Sequence, residues 1–251
     1  MDALLWGLVG WAVGGLVAIV ASRLPYGLPL GGWPPKCHAC QKTLAPLDWL
    51  PVVGYLLQRG RCRHCGGALD VRLPLTEALC AATFAALWWR HGFGPLTLIG
   101  SLYAAILWLV FLIDWRHHLI LNRVTYPTVL LALALSFVFP LTEPLRSLLG
   151  AVLCGGVFLG FYWLGRLLYR GRVTLGMGDV KLAVVFGAML GAQCGFLALV
   201  LGIVAGAVQA VALLLLGQRR RTYMPYGTAL VAGAVLTLIA GPDIWAWWLG
   251  R

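Results

Sequence analysis

Apolar runs, most of them about as long as a bilayer-crossing helix, alternate with short polar breaks along nearly the whole chain. In order they cover residues 3–22, 74–91, 96–113, 124–140, 147–168, 179–193, 196–217 and 227–249. A helix rises about 1.5 Å per residue, so roughly 20 residues span a hydrocarbon core of about 30 Å. The pattern predicts an all-α polytopic membrane protein with about eight transmembrane helices. The sixth run is the shortest and is rich in glycine, and "LGAQCG" has to serve as its turn. One long stretch interrupts the series: residues 24–73 are rich in Pro and Gly and predict a loop with little regular structure. The organisation expected is a first transmembrane helix in 1–23, the loop in 24–73, and seven membrane helices in 74–251.

Composition agrees with the pattern. Of 251 residues, 61% are hydrophobic and 11% charged, with a mean hydropathy of +0.88. A soluble domain of this size has no interior large enough for that much apolar surface. The N-terminus reads as the first span and not as a cleaved signal peptide, because Asp2 stands where a basic start is usual and the apolar run is too long.

The net charge of +11 would suit a nucleic-acid partner, but its distribution argues for a membrane. With the N-terminus placed outside, the inside loops and span edges hold all Lys and Arg except Arg90, Arg146 and Arg251. This positive-inside asymmetry sets both termini outside and the 24–73 loop in the cytoplasm. The basic excess then faces the anionic cytoplasmic leaflet of the membrane, and no nucleic acid is expected as a partner.

The loop carries two knuckles, Cys37-x-x-Cys40 and Cys62-x-x-Cys65. Two such pairs can set four thiolates tetrahedrally around a zinc ion; the alternative is two disulfides. A reducing cytosol disfavours the disulfides. Gly66 and Gly67 allow a tight turn after the second pair, and Lys36, Arg61 and Arg63 offset the negative charge of a four-thiolate site. Such a site is closed, hence structural. His38 and His64 stand beside the thiols as substitute ligands. Cys80, Cys154 and Cys194 fall in or at the ends of spans, where cysteine is a small apolar residue.

Of the eight carboxylates, six lie near the outer face or around the loop. The other two are Asp114, ending the third span in "FLIDWRHHLILN", and Asp179, opening the sixth in "LGMGDVKL". The third span runs inward and the sixth outward, so both acids reach the cytoplasmic boundary. Asp179 alone reads as a helix-start residue. Asp114 sits at the negative end of its helix, which is unfavourable without a partner or a task. Together they suit a dyad in which one carboxylate activates water and the other protonates a peptide carbonyl. The helix ends predict an asymmetry, with Asp179 tending to ionise and Asp114 to hold the proton.

These residues carry a recognisable pattern. Gly176-Met177-Gly178-Asp179 matches the GxGD signature of intramembrane aspartyl proteases, and the whole chain resembles the prepilin peptidase, or type IV leader peptidase, family. "SRLP" (22–25), "PLDWLPVVGYLLQRGRCRHC" (46–65), "RLPLTE" (72–77), "IDWRHHLILN" (113–122) and "MPYGTAL" (224–230) follow the family's order. The resemblance implies that Asp114 and Asp179 are the catalytic aspartates, supported by Gly176, Gly178 and Lys181. It implies cleavage of the short basic leader of type IV prepilins and pseudopilins, which bring their own apolar helix, at the cytoplasmic face. Family members with a cysteine loop often also methylate the new N-terminus with S-adenosylmethionine; no Gly-rich βαβ pattern marks a site for that donor here.

Four positions depart from the family's pattern. Ala18 stands where Asn is usual, in the part to which methyl transfer is tied; Leu121 replaces a Pro, Arg116 a second Asp, and Thr228 a Pro. Asp48, Asp70 and Glu77 are the acids available to meet a basic leader, although capping or solvation explains them equally. The rival readings are a zinc-regulated transporter or channel with Asp114 and Asp179 as ion ligands, and a membrane anchor presenting a zinc module. GMGD has no counterpart elsewhere in the chain, as the inverted repeats of a transporter would supply.

Overall fold

The computed structural model describes residues 2–29, 37, 40, 42, 43, 52–138, 142–168, 175–216, 225–248 and 250. Lys36, His38 and Asp48 lie outside the described residues. The helices are α1 (Asp2–Arg23), the short α2 (Val53–Leu57), α3 (Arg72–His91), α4 (Pro95–His117), α5 (Asn122–Val138), α6 (Pro144–Leu168), α7 (Met177–Leu215) and α8 (Tyr226–Trp248). Among the described residues the extended pairing is limited to an isolated bridge between Arg61 and Ala68.

Among the described residues five helices are long and apolar enough to cross a membrane: Asp2–Tyr26, which includes the 3₁₀ turn after α1, and α4, α6, α7 and α8. The expected count of eight is not reached on this measure, for three physical reasons. α3 carries Arg72, Thr76, Glu77, Arg90 and His91 among its apolar residues. α5 is an apolar helix of 17 residues, short of a full span. The sixth and seventh runs are two helical segments that follow each other without a loop, so α7 counts once although it breaks where the turn was expected. Gly191, inside "LGAQCG", takes φ 76° and ψ 179° and breaks α7 within a single residue. Only glycine adopts that conformation readily.

The chain forms two compact units, Met1–Ile113 and Asp114–Arg251. In the first, α1 lies against α3 with glycine at the contact. A Cβ on Gly10 would come within 2.6 Å of the Phe84 side chain, and one on Gly14 within 2.8 Å of the Glu77 Cα. Two indoles tie helices together, Trp6 Nε1 donating to Ser101 Oγ at 3.0 Å and Trp108 Nε1 to Thr83 Oγ1 at 3.1 Å.

In the second unit α6 and α7 touch backbone to backbone. A Cβ on either Gly150 or Gly187 would fall on the other's carbonyl, and Gly195 packs on the Gly187 Cα. Ser147 Oγ donates across the same seam to the Ala188 carbonyl at 2.6 Å. α7 and α8 meet in the same way at Gly202 and Gly233. Lipid tails are as apolar as leucine, so helices in a bilayer gain little by burying apolar faces. Close backbone approach and interhelical hydrogen bonds hold them instead.

The seam makes a paired prediction. Gly187→Ala should destabilise the protein by at least about 1–3 kcal/mol through overpacking. Gly160→Ala, where a Cβ meets nothing within 4 Å, should be neutral or slightly stabilising. Thermal unfolding of the two variants in detergent checks both.

Candidate functional site

Asp114 lies in the last turn of α4, and Asp179 is the third residue of α7. Both are buried, with 5% and 9% of their surface exposed. The Gly176–Asp179 segment explains the local structure of the second. Gly176 is the N-cap of α7, and its backbone N–H donates to Asp179 Oδ2 at 3.1 Å. The carboxylate therefore folds back over the positive end of its own helix.

Asp114 finds its donor elsewhere. The backbone N–H of Thr228, third residue of α8, donates to Asp114 Oδ2 at 3.0 Å. The first N–H groups of a helix have no partner within it, so α8 offers a donor that α4 lacks. The sequence placed Asp114 at an unfavourable helix end and on that ground expected it to hold the proton. The N-terminus of α8 removes that ground, since both acids lie on helix N-termini. They are near enough for the charge on Asp114 to act on Asp179.

Small residues make the approach possible. A Cβ on Gly227 would lie 2.8 Å from Asp114 Oδ2, and one on Gly176 would lie 3.0 Å from Asp179 Oδ2. A Cβ on Gly178 would press on Ile120 at 3.0 Å, and Ile120 also reaches Gly227. The turn between α4 and α5 is thus wedged between the starts of α7 and α8. The turn itself is sharp: His118 takes φ 54° and donates its N–H back to the Asp114 carbonyl at 2.8 Å. Gly176 has φ −74°, so close approach, more than conformational freedom, requires glycine there.

Lys181 points away from a simple pairing with the acids. Its Nζ donates to Asn122 Oδ1 at 2.7 Å and lies 5.7 Å from the centre of the Tyr126 ring, tying α7 to the start of α5. Sequence reasoning did not assign Gly227, Thr228 or Tyr226 to the site. Tyr226 opens α8 close enough to feel the charge of Asp179. The signal was present in "MPYGTAL", a turn followed by an apolar run, but a main-chain donor leaves no side-chain signature.

In the N-terminal unit the sulfurs of Cys37, Cys40, Cys62 and Cys65 all lie within 4.8 Å of one another, and none of the four is joined in a disulfide. Cys37 Sγ and Cys65 Sγ are 3.9 Å apart. A tetrahedron of thiolates at about 2.3 Å from zinc has edges of about 3.8 Å, so the spacing fits a metal ion. Backbone bonds shape the knuckles: Cys37 N to Lys42 O at 2.9 Å, and Cys62 N to Gly67 O and Gly66 N to Cys62 O, both at 2.8 Å. Gly66 takes the left-handed φ of 67° that the second turn needs. The Gly67 backbone N–H lowers the Cys65 pKa, but desolvation and the Cys40, Cys62 and Cys37 sulfurs outweigh it and push it up to about 11. A divalent cation reverses that balance by binding thiolate. His64 is exposed and outside the cluster. Asp70 is held by Arg72 at 2.8 Å, and Glu77 is buried.

By fold this is a polytopic helical membrane protein with a four-cysteine segment in its N-terminal unit. Residues 8–91 match the bacterial peptidase A24 N-terminal domain, and residues 101–211 match the type IV leader peptidase family. A prepilin leader peptidase/N-methyltransferase of Pseudomonas putida is 32% identical over 218 residues, covering 84% of this chain and 73% of the relative. One of Dickeya chrysanthemi is 34% identical over 217 residues, covering 74% of each. One of Bacillus subtilis (strain 168) is 28% identical over 236 residues, covering 94% of this chain and 93% of the relative. No solved structure matches the chain. The chain belongs to the type IV leader peptidase family.

Replacing Lys181 by Met should free the start of α5. Loss of a partly exposed charged hydrogen bond costs about 1 kcal/mol locally, so amides of residues 122–126 should exchange roughly fivefold faster by hydrogen–deuterium exchange.

Proposed function

We propose that this chain is a membrane aspartyl endopeptidase that removes the short basic leader of type IV prepilins or pseudopilins. It works at the cytoplasmic face of the bacterial inner membrane, with Asp114 and Asp179 as the catalytic pair. One observation carries the reading: two buried carboxylates lie in one compact unit, each with one oxygen held by a helix N-terminal N–H, and Ile120 packs against the glycine next to the one and the glycine that covers the other. The names of the relatives support the substrate, and none of the three is a transporter.

The chemistry follows from the arrangement. The oxygen of each acid not held by backbone is left for a water between them. The ionised carboxylate takes a proton from that water as it attacks the peptide carbonyl, and the protonated one gives its proton to the carbonyl oxygen. The tetrahedral intermediate then collapses, the amide nitrogen leaving as the new N-terminal amine with a proton from the pair. The Gly176 and Thr228 N–H groups keep the carboxylates in register through both steps. The relatives' names also support N-methylation of that amine, for which S-adenosylmethionine would supply an electrophilic methyl group. Cys37, Cys40, Cys62 and Cys65 would hold zinc, which closes the segment around four thiolates and leaves no open coordination position.

The test is cleavage by the purified full-length protein of a peptide with an apolar helix behind a Lys/Arg-rich leader ending in glycine. Asp114→Asn or Asp179→Asn should each lower kcat by about 10²–10⁴-fold while the melting temperature stays close to that of the parent. Gly227→Ala, which crowds Asp114, should lower kcat more than it raises KM. Retained cleavage in the double Asn variant would sink the assignment.

The metal reading is tested separately. Metal analysis should find one zinc per chain, lost in Cys62→Ser. Chelation should loosen the cysteine segment while peptide cleavage outlasts the metal. Cleavage lost in step with zinc, with the helices intact, would point to a metal-dependent reaction instead.

A further inference from the structure

Among the described residues, Glu77 is the buried acid that the proposed reaction does not use. It projects from α3 with 7% of its surface exposed, beneath the close contact of Gly14 on its own Cα. An ionisable group buried this way calls for a partner or a task. Its Oε2 accepts the backbone N–H of Val52 at 2.6 Å. Val52 is itself anomalous: a β-branched residue at φ 54° and ψ −52°, a conformation that L side chains rarely adopt.

Val52 is the N-cap of α2, and a relay of short backbone links runs from that helix to the second cysteine pair. Within α2, Tyr55 accepts the Gly60 N–H at 2.9 Å, and its hydroxyl lies 2.9 Å from where a Gly60 Cβ would sit. The Gly60 carbonyl in turn holds the Leu69 N–H at 2.8 Å, and Cys62 bonds to Gly67 at 2.8 Å inside that closed turn. The second cysteine pair is therefore built on α2. The carboxylate at the foot of α2 is in α3.

We propose that Glu77 is a latch: by holding the strained Val52 N–H it fixes α2, and with it the Cys62–Cys65 turn, to α3, so that metal retention by the four cysteines depends on it. It is a positioning residue, separate from the reacting groups. The dependence on metal rests on the zinc reading above; the anchoring of α2 does not.

The experiment uses the full-length protein in detergent and two readouts: hydrogen–deuterium exchange of residues 53–62, and transfer of bound zinc to a chromogenic chelator. Glu77→Leu fills the same space without an acceptor. It should speed both exchange and zinc transfer by about tenfold, as loss of a supporting residue at a metal site commonly does. Glu77→Gln, whose amide oxygen can still accept the Val52 N–H, should stay within about twofold of the parent. Val52→Gly removes the backbone strain, so adding it to Glu77→Leu should return both readouts most of the way, a non-additive result.

Unchanged exchange in Glu77→Leu, or no recovery on adding Val52→Gly, overturns the proposal. Should Glu77→Leu fail to accumulate, the double variant is compared with Val52→Gly alone, and a large loss of protection between them overturns it equally. A parent protein that carries no zinc defeats the metal reading, while the exchange arm still judges the latch.

Discussion

A carboxylate among apolar helices must find donors for its oxygens, and the donors left open at membrane depth are the unpaired N–H groups at helix starts. Two acids of this chain use them. Asp179 takes the N–H of Gly176 at the head of α7, and Asp114 takes that of Thr228 at the head of α8. The second bond joins the end of one helix to the start of another, 114 residues further along. Much of the surrounding design depends on it. Gly227 must lack a side chain so that the carboxylate can reach the backbone, and Ile120 must pack between Gly178 and Gly227 so that three helix ends converge. In the proposed reaction function and fold would share these contacts, since the groups that solvate the acids would also position them for water.

The parts of this arrangement that were legible in the sequence are those with local signatures. Apolar run length announced the membrane helices. Asp179 stood out because no other carboxylate occurs between Glu143 and Asp243, and the spacing of the two Cys-x-x-Cys pairs pointed to four cysteines that could hold a metal ion. What escaped the sequence is main-chain or long-range. A donor contributed by the backbone of Thr228 looks the same in any sequence, so the partner of Asp114 was invisible and its helix end was read as unfavourable. The family resemblance implied a supporting role for Lys181, and the hydrogen bond of its amine to Asn122, 59 residues away in the chain, had no signature in the sequence. The break in α7 was expected as a turn within "LGAQCG", and one left-handed glycine accomplishes it.

The cysteine segment obeys a different economy. Among its described residues it holds no helix longer than α2, and their order comes from backbone bonds closed over few residues, from the grouping of four sulfurs, and from one carboxylate beside α2. Each of these is weak alone, since short turns gain little burial. A bound cation would join them into a cooperative whole.

The seam between α6 and α7 has an implication for how such a protein changes over generations. Gly150 and Gly187 meet at one spot, and the backbone of each helix occupies the volume where the other would keep a side chain. No single replacement can enlarge either of them without parting the helices, and compensation would require retreat of a whole backbone. Drift is thus free to rewrite the lipid-facing surface of α6 while this line of contact stays frozen, and the head of α7 inherits a fixed mount.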